Sequence, residues 1–300
     1  MGSARPPNGI VLLDKPLGLS SNAALQRVRR LLGAAKAGHV GSLDPLATGM
    51  LPICLNEATK VADDILSFRK CYRFELSLGV RTATGDREGS AVERLPVPPF
   101  ASAHVESVLA DFLGETLQVP PMYSALKRAG QPLYRLARTG IEVERTPRRI
   151  EISSLTLLAL DPPLIRLETV CSKGTYIRVL AEDIARRLGT CGHVSMLRRL
   201  YVEPFVHEPM HTMEALEGAC ASGAAPAFIP ADRAIEYLPE ARLTVAESAR
   251  IRLGQRIAAP AELCASRVRL YDAGGAFFGI GVSDGAGSLA PRRLFAGAAP

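Results

Sequence analysis

The segment Gly38-His39-Val40-Gly41-Ser42-Leu43-Asp44-Pro45-Leu46-Ala47-Thr48-Gly49 constrains this chain more than any other. It sets an aspartate directly before a proline and surrounds the pair with three glycines. A residue that precedes proline is steered out of α geometry and into an extended one. Gly41 and Gly49 admit backbone angles, or a close approach by another segment, that other residues resist. With four Gly or Pro between Ala37 and Met50 and no period, the stretch reads as a loop of specified shape. Such a turn projects the Asp44 carboxylate into a cleft. From spacing alone the favoured reading is a carboxylate capping the next turn, with His39 a hydrogen-bonded loop histidine, because Asp-Pro turns are common.

Around this loop the chain mixes two periods. Gly9 to Leu13 is a short apolar run ending at Asp14-Lys15-Pro16, a strand running into a turn. Ser20 or Ser21 caps a helix through Leu32, with Ala24, Leu25, Val28, Leu31 and Leu32 on one face. Glu57 to Phe68 reads as helix. From Cys71 to Val80, Tyr72, Phe74, Leu76 and Leu78 alternate with Arg73, Glu75 and Ser77, as in a half-buried strand. Further expectations are a helix over 103–113, strands over 150–160, 165–171 and 194–202, and a helix over 175–188 with Tyr176 and Arg178 in its first turn. Residues 220–230, rich in Ala, Gly and Pro, read as a loop or boundary. After Pro239 come a short helix (245–253) and β segments near 267–271 and 276–282, a small β-rich unit. This patterning is that of an α+β protein.

Composition narrows the class. With 47% hydrophobic and 22% charged residues among 300, the chain is neither disordered nor a disulfide miniprotein. Its net charge is +6, and 30 of the 36 basic residues are Arg, whose planar donor fork suits phosphate. Codon bias explains an Arg excess equally well. Between Lys127 and Arg149 the charge is concentrated: Lys127, Arg128, Arg135, Arg138, Arg145, Arg148 and Arg149 face only Glu142 and Glu144. Six cysteines at 54, 71, 171, 191, 220 and 264 form no C-x-x-C pair, so free thiols in a reducing cytosol are expected. No apolar signal core or membrane-length run is present, and Trp is absent, which leaves Tyr, Phe or His for base stacking.

Six segments, taken in order, resemble the TruB-type tRNA pseudouridine synthases of the bacterial, stand-alone kind. They are Leu12-Leu13-Asp14-Lys15-Pro16-Leu17-Gly18-Leu19-Ser20-Ser21; the Asp44 loop; Lys70-Cys71-Tyr72, leading to Leu78-Gly79 and Thr82-Ala83-Thr84-Gly85-Asp86; Val119 to Lys127, continuing to Gly130-Gln131-Pro132-Leu133-Tyr134; Cys171-Ser172-Lys173-Gly174-Thr175-Tyr176-Ile177-Arg178; and Leu197-Arg198-Arg199-Leu200. One such segment is moderate evidence; six in order over roughly residues 10 to 200 are specific. Two small departures, Val40 and Ser42, lie beside the proposed chemistry rather than in it.

The resemblance implies conversion of uridine to pseudouridine at position 55 in the T-loop of tRNA, without cofactor or metal, and with a tRNA-folding activity as an accompanying or alternative role. Asp44 matches the family's catalytic aspartate, acting as nucleophile or as base in a glycal-type path. Arg178 matches its basic partner and is expected to keep that carboxylate ionised. Tyr72 matches the family's catalytic tyrosine, expected to stack on the extruded uracil and to assist removal of the proton from C5 through its hydroxyl. Tyr176 and Leu197 match pocket walls, His39 the histidine that fills the space the base leaves, and Lys15 a residue near the site that contacts substrate or supports the turn. The implied fold is a mixed, largely antiparallel central sheet flanked by helices, with a small β-barrel-like, PUA-like C-terminal domain. Residues 1–238 would be catalytic, with an RNA-clamping insertion about 120–149, and 239–300 would bind RNA. The partner would be the T-arm stem-loop, with the acceptor stem left open. The protein would be a cytoplasmic monomer, bound to neither a membrane nor an obligate protein partner.

Overall fold

The computed structural model describes residues 8–296, apart from 129, 225, 261 and 265. Strand β1 (Gly9–Lys15) leads to helix α1 (Ser21–Leu31). Ser20 starts that helix, its hydroxyl accepting from the Ala23 N–H at 3.1 Å. Ala24, Leu25 and Val28 form its buried stripe, and Arg29 and Arg30 stand in its last turn, where cations oppose the helix dipole. Strands β2 (Ala37–His39) and β3 (Ala47–Leu55) pair antiparallel. The loop expected over Ala37–Met50 is therefore confined to residues 40–46, and glycine is the reason. A Cβ on Gly49, at φ +100, would lie 2.1 Å from the Arg199 carbonyl oxygen, so only glycine lets this backbone join the sheet here.

A 3-10 turn (Asn56–Val61) precedes α2 (Ala62–Ser67) where one helix was expected; the Thr59 hydroxyl donates back to the Asn56 carbonyl at 2.7 Å, which suits the tighter winding. Strand β4 (Lys70–Leu78) buries Tyr72, Phe74, Leu76 and Leu78 and exposes Arg73, as its alternation demands. A small hairpin, β5 (Val80–Thr82) and β6 (Ala91–Arg94), is followed by α3 (Ser102–Ala110) and β7 (Gly114–Gln118). The basic stretch then forms a short hairpin, β8 (Lys127–Arg128) and β9 (Gln131–Pro132), and α4 (Leu133–Arg138). Strands β10 (Arg148–Asp161) and β11 (Leu164–Cys171), α5 (Ile177–Arg187), β12 (Gly192–Val202) and α6 (Met213–Ala221) complete the larger part. Tyr176 is the residue before α5 rather than part of its first turn, and the expected loop at 220 begins inside the last turn of α6.

The main sheet has eight strands in the order β1-β3-β12-β4-β11-β10-β7, with β2 beside β3. Only β3 and β12 run parallel, so the sheet is mixed and largely antiparallel, as expected. One core packs α3 and α5 against the middle of the sheet, and a second packs α1 and α6 against β1 and β3. Beyond residue 239, strands β13 (Glu240–Arg242), β14 (Ile257–Ala258), β15 (Ser266–Tyr271), β16 (Phe277–Ser283) and β17 (Ser288–Leu294) form a five-stranded sheet. Helix α7 (Val245–Arg252) and a separate apolar cluster accompany it. Strand β17 was not expected, because Pro291, Arg292 and Arg293 break its alternation. Asp64 of α2 ties the two sheets together, accepting from Arg267 at 2.6 and 3.1 Å and from the Tyr237 hydroxyl at 2.7 Å. The six cysteines are free thiols. Among the described residues no helix is long and apolar enough to cross a membrane, and no metal-like cluster of His, Cys, Asp or Glu occurs.

Candidate active site

The loop between β2 and β3 is pinned from beneath and from both sides. The Ser21 hydroxyl accepts from the Leu43 N–H at 2.7 Å and donates to the Leu43 carbonyl at 2.8 Å. Lys15 is fully buried, and its Nζ donates to the carbonyls of Pro16 (2.9 Å), Leu19 (2.7 Å) and Pro45 (3.5 Å). Arg199, also buried, donates from Nε to the Met50 carbonyl at 2.6 Å and from Nη2 to the Gly41 carbonyl at 2.9 Å. Together these bonds hold the Asp-Pro turn with Asp44 facing outward.

Arg178 meets Asp44 there. Its Nε lies 3.0 Å from Asp44 Oδ2 and 3.8 Å from Oδ2 of Asp86. The rest of its fork is spent on backbone: Nη1 donates to the Thr84 carbonyl and Nη2 to the Tyr123 carbonyl, each at 2.7 Å. Such a guanidinium has one orientation. Its side chain is 6% exposed, whereas that of Asp44 is 41% exposed, so the carboxylate is the member of the pair open to an incoming ligand. Asp86 is held by the Thr84 hydroxyl at 2.6 Å and the Glu88 N–H at 3.1 Å.

Burial and Arg178 act on the ionisation of Asp44 in opposite directions. Burial in the cleft pushes the Asp44 carboxyl above the ordinary carboxylate range. Arg178 and Lys15 oppose that shift, and the Asp86 carboxylate adds to it. Lys15 is itself pushed down to about 8, chiefly by burial.

Asp44, Tyr72, Tyr176, Arg178 and Leu197 line one cleft of about 410 Å³. Tyr72 and Leu197 come from the neighbouring strands β4 and β12, and Tyr176 from the entry to α5. Burial pushes both phenols up. Two of the expected site residues lie elsewhere. Lys15 sits under the loop with its ammonium committed to backbone carbonyls, so it supports the turn and offers no contact surface to a substrate. His39 ends β2, outside the residues lining the cleft, with its Nδ1 buried and unpartnered; burial and the nearby Arg199 hold its pKa down. Asp86, Arg199 and Lys70 were not singled out in the sequence. All three fall within the quoted segments, yet nothing local marks a buried aspartate or arginine as facing a site across the fold. Lys70 lines the cleft, caps the α2 end by donating to the Leu66 carbonyl at 2.6 Å, and is pushed down to about 8 by burial.

Comparison with known proteins bears on this arrangement. Residues 29–177 match the family model described as TruB family pseudouridylate synthase (N terminal domain). Residues 178–235 match tRNA pseudouridylate synthase B C-terminal domain, and residues 239–295 match Pseudouridine synthase II TruB, C-terminal. The chain is 49% identical to tRNA pseudouridine synthase B of Stutzerimonas stutzeri over 294 residues, covering 97% of this chain and 96% of that one. It is 45% identical to the protein of the same name from Xanthomonas campestris pv. campestris over 295 residues, covering 98% and 96%. In fold it is similar to a chain of the archaeal box H/ACA sRNP Nop10-Cbf5 complex, with a TM-score of 0.72 at 22% identity, covering 97% of this chain and 86% of that chain.

Proposed function

Since the chain belongs to the TruB family of pseudouridylate synthases, and so is an enzyme that isomerises uridine to pseudouridine in tRNA, we propose that its target is the uridine at position 55 of the T-loop, extruded into the cleft where Asp44 meets Arg178. The observation that carries this reading is that contact: a half-open carboxylate held against a buried, fully committed guanidinium at the floor of a nucleotide-sized cleft.

The net chemistry is an isomerisation. The bond from N1 of uracil to C1′ of ribose breaks, the base turns within the cleft, and C5 bonds to the same C1′; the C5 proton is lost and N1 ends protonated. The ionised Asp44 carboxylate serves either by attacking C1′ or as base in a glycal path, and its exposure suits both. Arg178 stabilises the ionised form and fixes its direction. Extrusion costs a few kcal/mol of stacking. Stacking on Tyr72, worth about 1–3 kcal/mol, offsets much of that. Tyr176 and Leu197 keep water from the turning base. His39, at the end of β2, fills the gap left in the RNA loop, and Lys15 positions Asp44 from beneath.

Residues 1–238 act as the catalytic part. The basic segment about 120–149 lies over the T-arm, its exposed Arg128, Arg135, Arg138 and Arg148 contacting phosphates. Residues 239–300 form the second RNA-binding domain. The working form is a cytoplasmic monomer. Release of tritium from C5-labelled uridine in a bare T-arm stem-loop tests the reading: turnover is expected without any guide RNA, and its absence from the wild-type protein would reject the assigned substrate.

A further inference from the structure

We propose that Gln118 is a positioning residue for the reaction: its buried side-chain amide fixes the entry to α5 and, through it, the placement of the Arg178 guanidinium and the Tyr176 ring. The inference rests on the reading of the cleft given above.

A helix leaves its first N–H groups without partners inside the helix. Residues that start helices well carry a short acceptor that folds back on those groups. Tyr176, the residue preceding α5, has φ −100° and ψ 109° and makes no such bond. Instead, a distant strand holds Tyr176 itself by its backbone. Gln118 Oε1 accepts from the Tyr176 N–H at 2.8 Å, and Gln118 Nε2 donates to the Tyr176 carbonyl at 3.1 Å. The same carbonyl accepts the first helical bond, from the Leu180 N–H at 3.1 Å. Both ends of one amide are therefore spent on one residue, which fixes the rotation of the first turn as well as its position.

Strand β7 is built to present this side chain. Gly114, Glu115, Thr116 and Leu117 are exposed along its length, and Gln118 alone turns inward, to 5% exposure. Five residues further on, the Tyr123 carbonyl takes the Nη2 donor of Arg178. One run of chain thus holds the helix entry at its backbone and the guanidinium at its tip, and the basic segment grows from that same run. Glutamine is the residue the geometry requires, since it has a donor and an acceptor on one planar group. Leucine has neither, and methionine matches glutamine in length with no donor at all.

The test uses Gln118→Met and Gln118→Leu, with thermal melts to show that each folds; the two differ in shape, so one remains if the other does not fold. Three readouts are taken: single-turnover tritium release from the labelled stem-loop, stem-loop binding, and titration of the Asp44 carboxyl by carbon NMR, assigned by its disappearance in Asp44→Asn. The release rate is expected to fall about 100-fold while binding stays within about twofold, because the defect is one of placement. The Asp44 carboxyl is expected to titrate at higher pH than in the wild type, because Arg178 no longer stands against it. A folded variant in which Asp44 titrates as in the wild type overturns the proposal, as does a defect seen only in binding. If the wild-type protein makes no pseudouridine, the assigned function fails instead, and the titration alone decides the role of Gln118.

Discussion

Arg178 Nε stands 3.0 Å from Asp44 Oδ2, and yet the Asp44 carboxyl is a weaker acid than an ordinary aspartate. Burial costs the anion more than the guanidinium returns, and Asp86, on the other side of the same Nε, shares that cation. In the function proposed above this pair supplies the base or nucleophile, and its ionisation has measurable consequences.

Asp44→Asn is expected to abolish tritium release while leaving stem-loop affinity within about threefold, since the amide keeps the shape and loses the charge. Any tRNA-folding activity should survive the same change. Substantial turnover by the Asn variant would take Asp44 out of its assigned role.

The rate should fall on acidification with an apparent pKa above the ordinary aspartate value, because the ionised form is the active one and its pKa is raised. Asp86→Asn removes a carboxylate that favours protonation of Asp44, so the acid limb should move to lower pH. Single-turnover rates of both proteins across the acid range check the sign; an unmoved or upward-shifted limb contradicts the charge argument.

Arg178→Lys keeps the charge and loses the fork that bonds Thr84, Tyr123 and Asp44 at once. A fall in single-turnover rate of about 100-fold or more is expected, with little change in binding. A lysine variant with nearly full activity would show that charge alone suffices.

Lys15→Met should separate stability from activity. In the fold the Lys15 ammonium is pushed down to about 8, against 10.5 in the unfolded chain. Between those values the folded protein binds fewer protons than the unfolded one, so stability from this group rises with pH, and the cost of burying the charge is full below pH 8. The methionine variant should therefore gain most in Tm relative to wild type at pH 7 and least at pH 10. Its turnover should fall, because the Pro45 carbonyl loses its support. A Tm difference that does not change with pH would refute the linkage.

Arg135→Ala with Arg138→Ala, both exposed on α4, should weaken stem-loop binding and flatten its dependence on log salt by roughly 0.7–0.9 for each phosphate that these side chains no longer neutralise. An unchanged slope would place the RNA elsewhere.

Much of this was legible in the sequence because its cause is local. Alternation wrote strand β4, a serine cap wrote α1, and the segment order pointed to Asp44 and Arg178. The parts that were not legible depend on what lies across the fold. Strand β17 hides behind Pro291 and two arginines and forms because β16 offers it a partner. Asp86 looks like any aspartate in a polar turn until α5 brings Arg178 beside it. The balance that sets the Asp44 shift lay beyond the sequence for a related reason: a partner can be read from a motif, whereas the depth of a cleft is a property of the finished molecule.

Gly49 carries a last implication. With its α-carbon pressed against the backbone of Arg199, and Arg199 in turn gripping Met50 and Gly41, the turn that bears Asp44 and the strand that bears Leu197 behave as one stiff block. Such a block has no hinge with which to greet its guest. In the function proposed above, the turn that bears Asp44 does not move to meet the RNA, so stem-loops whose target base unstacks readily should be turned over faster than those that hold it stacked.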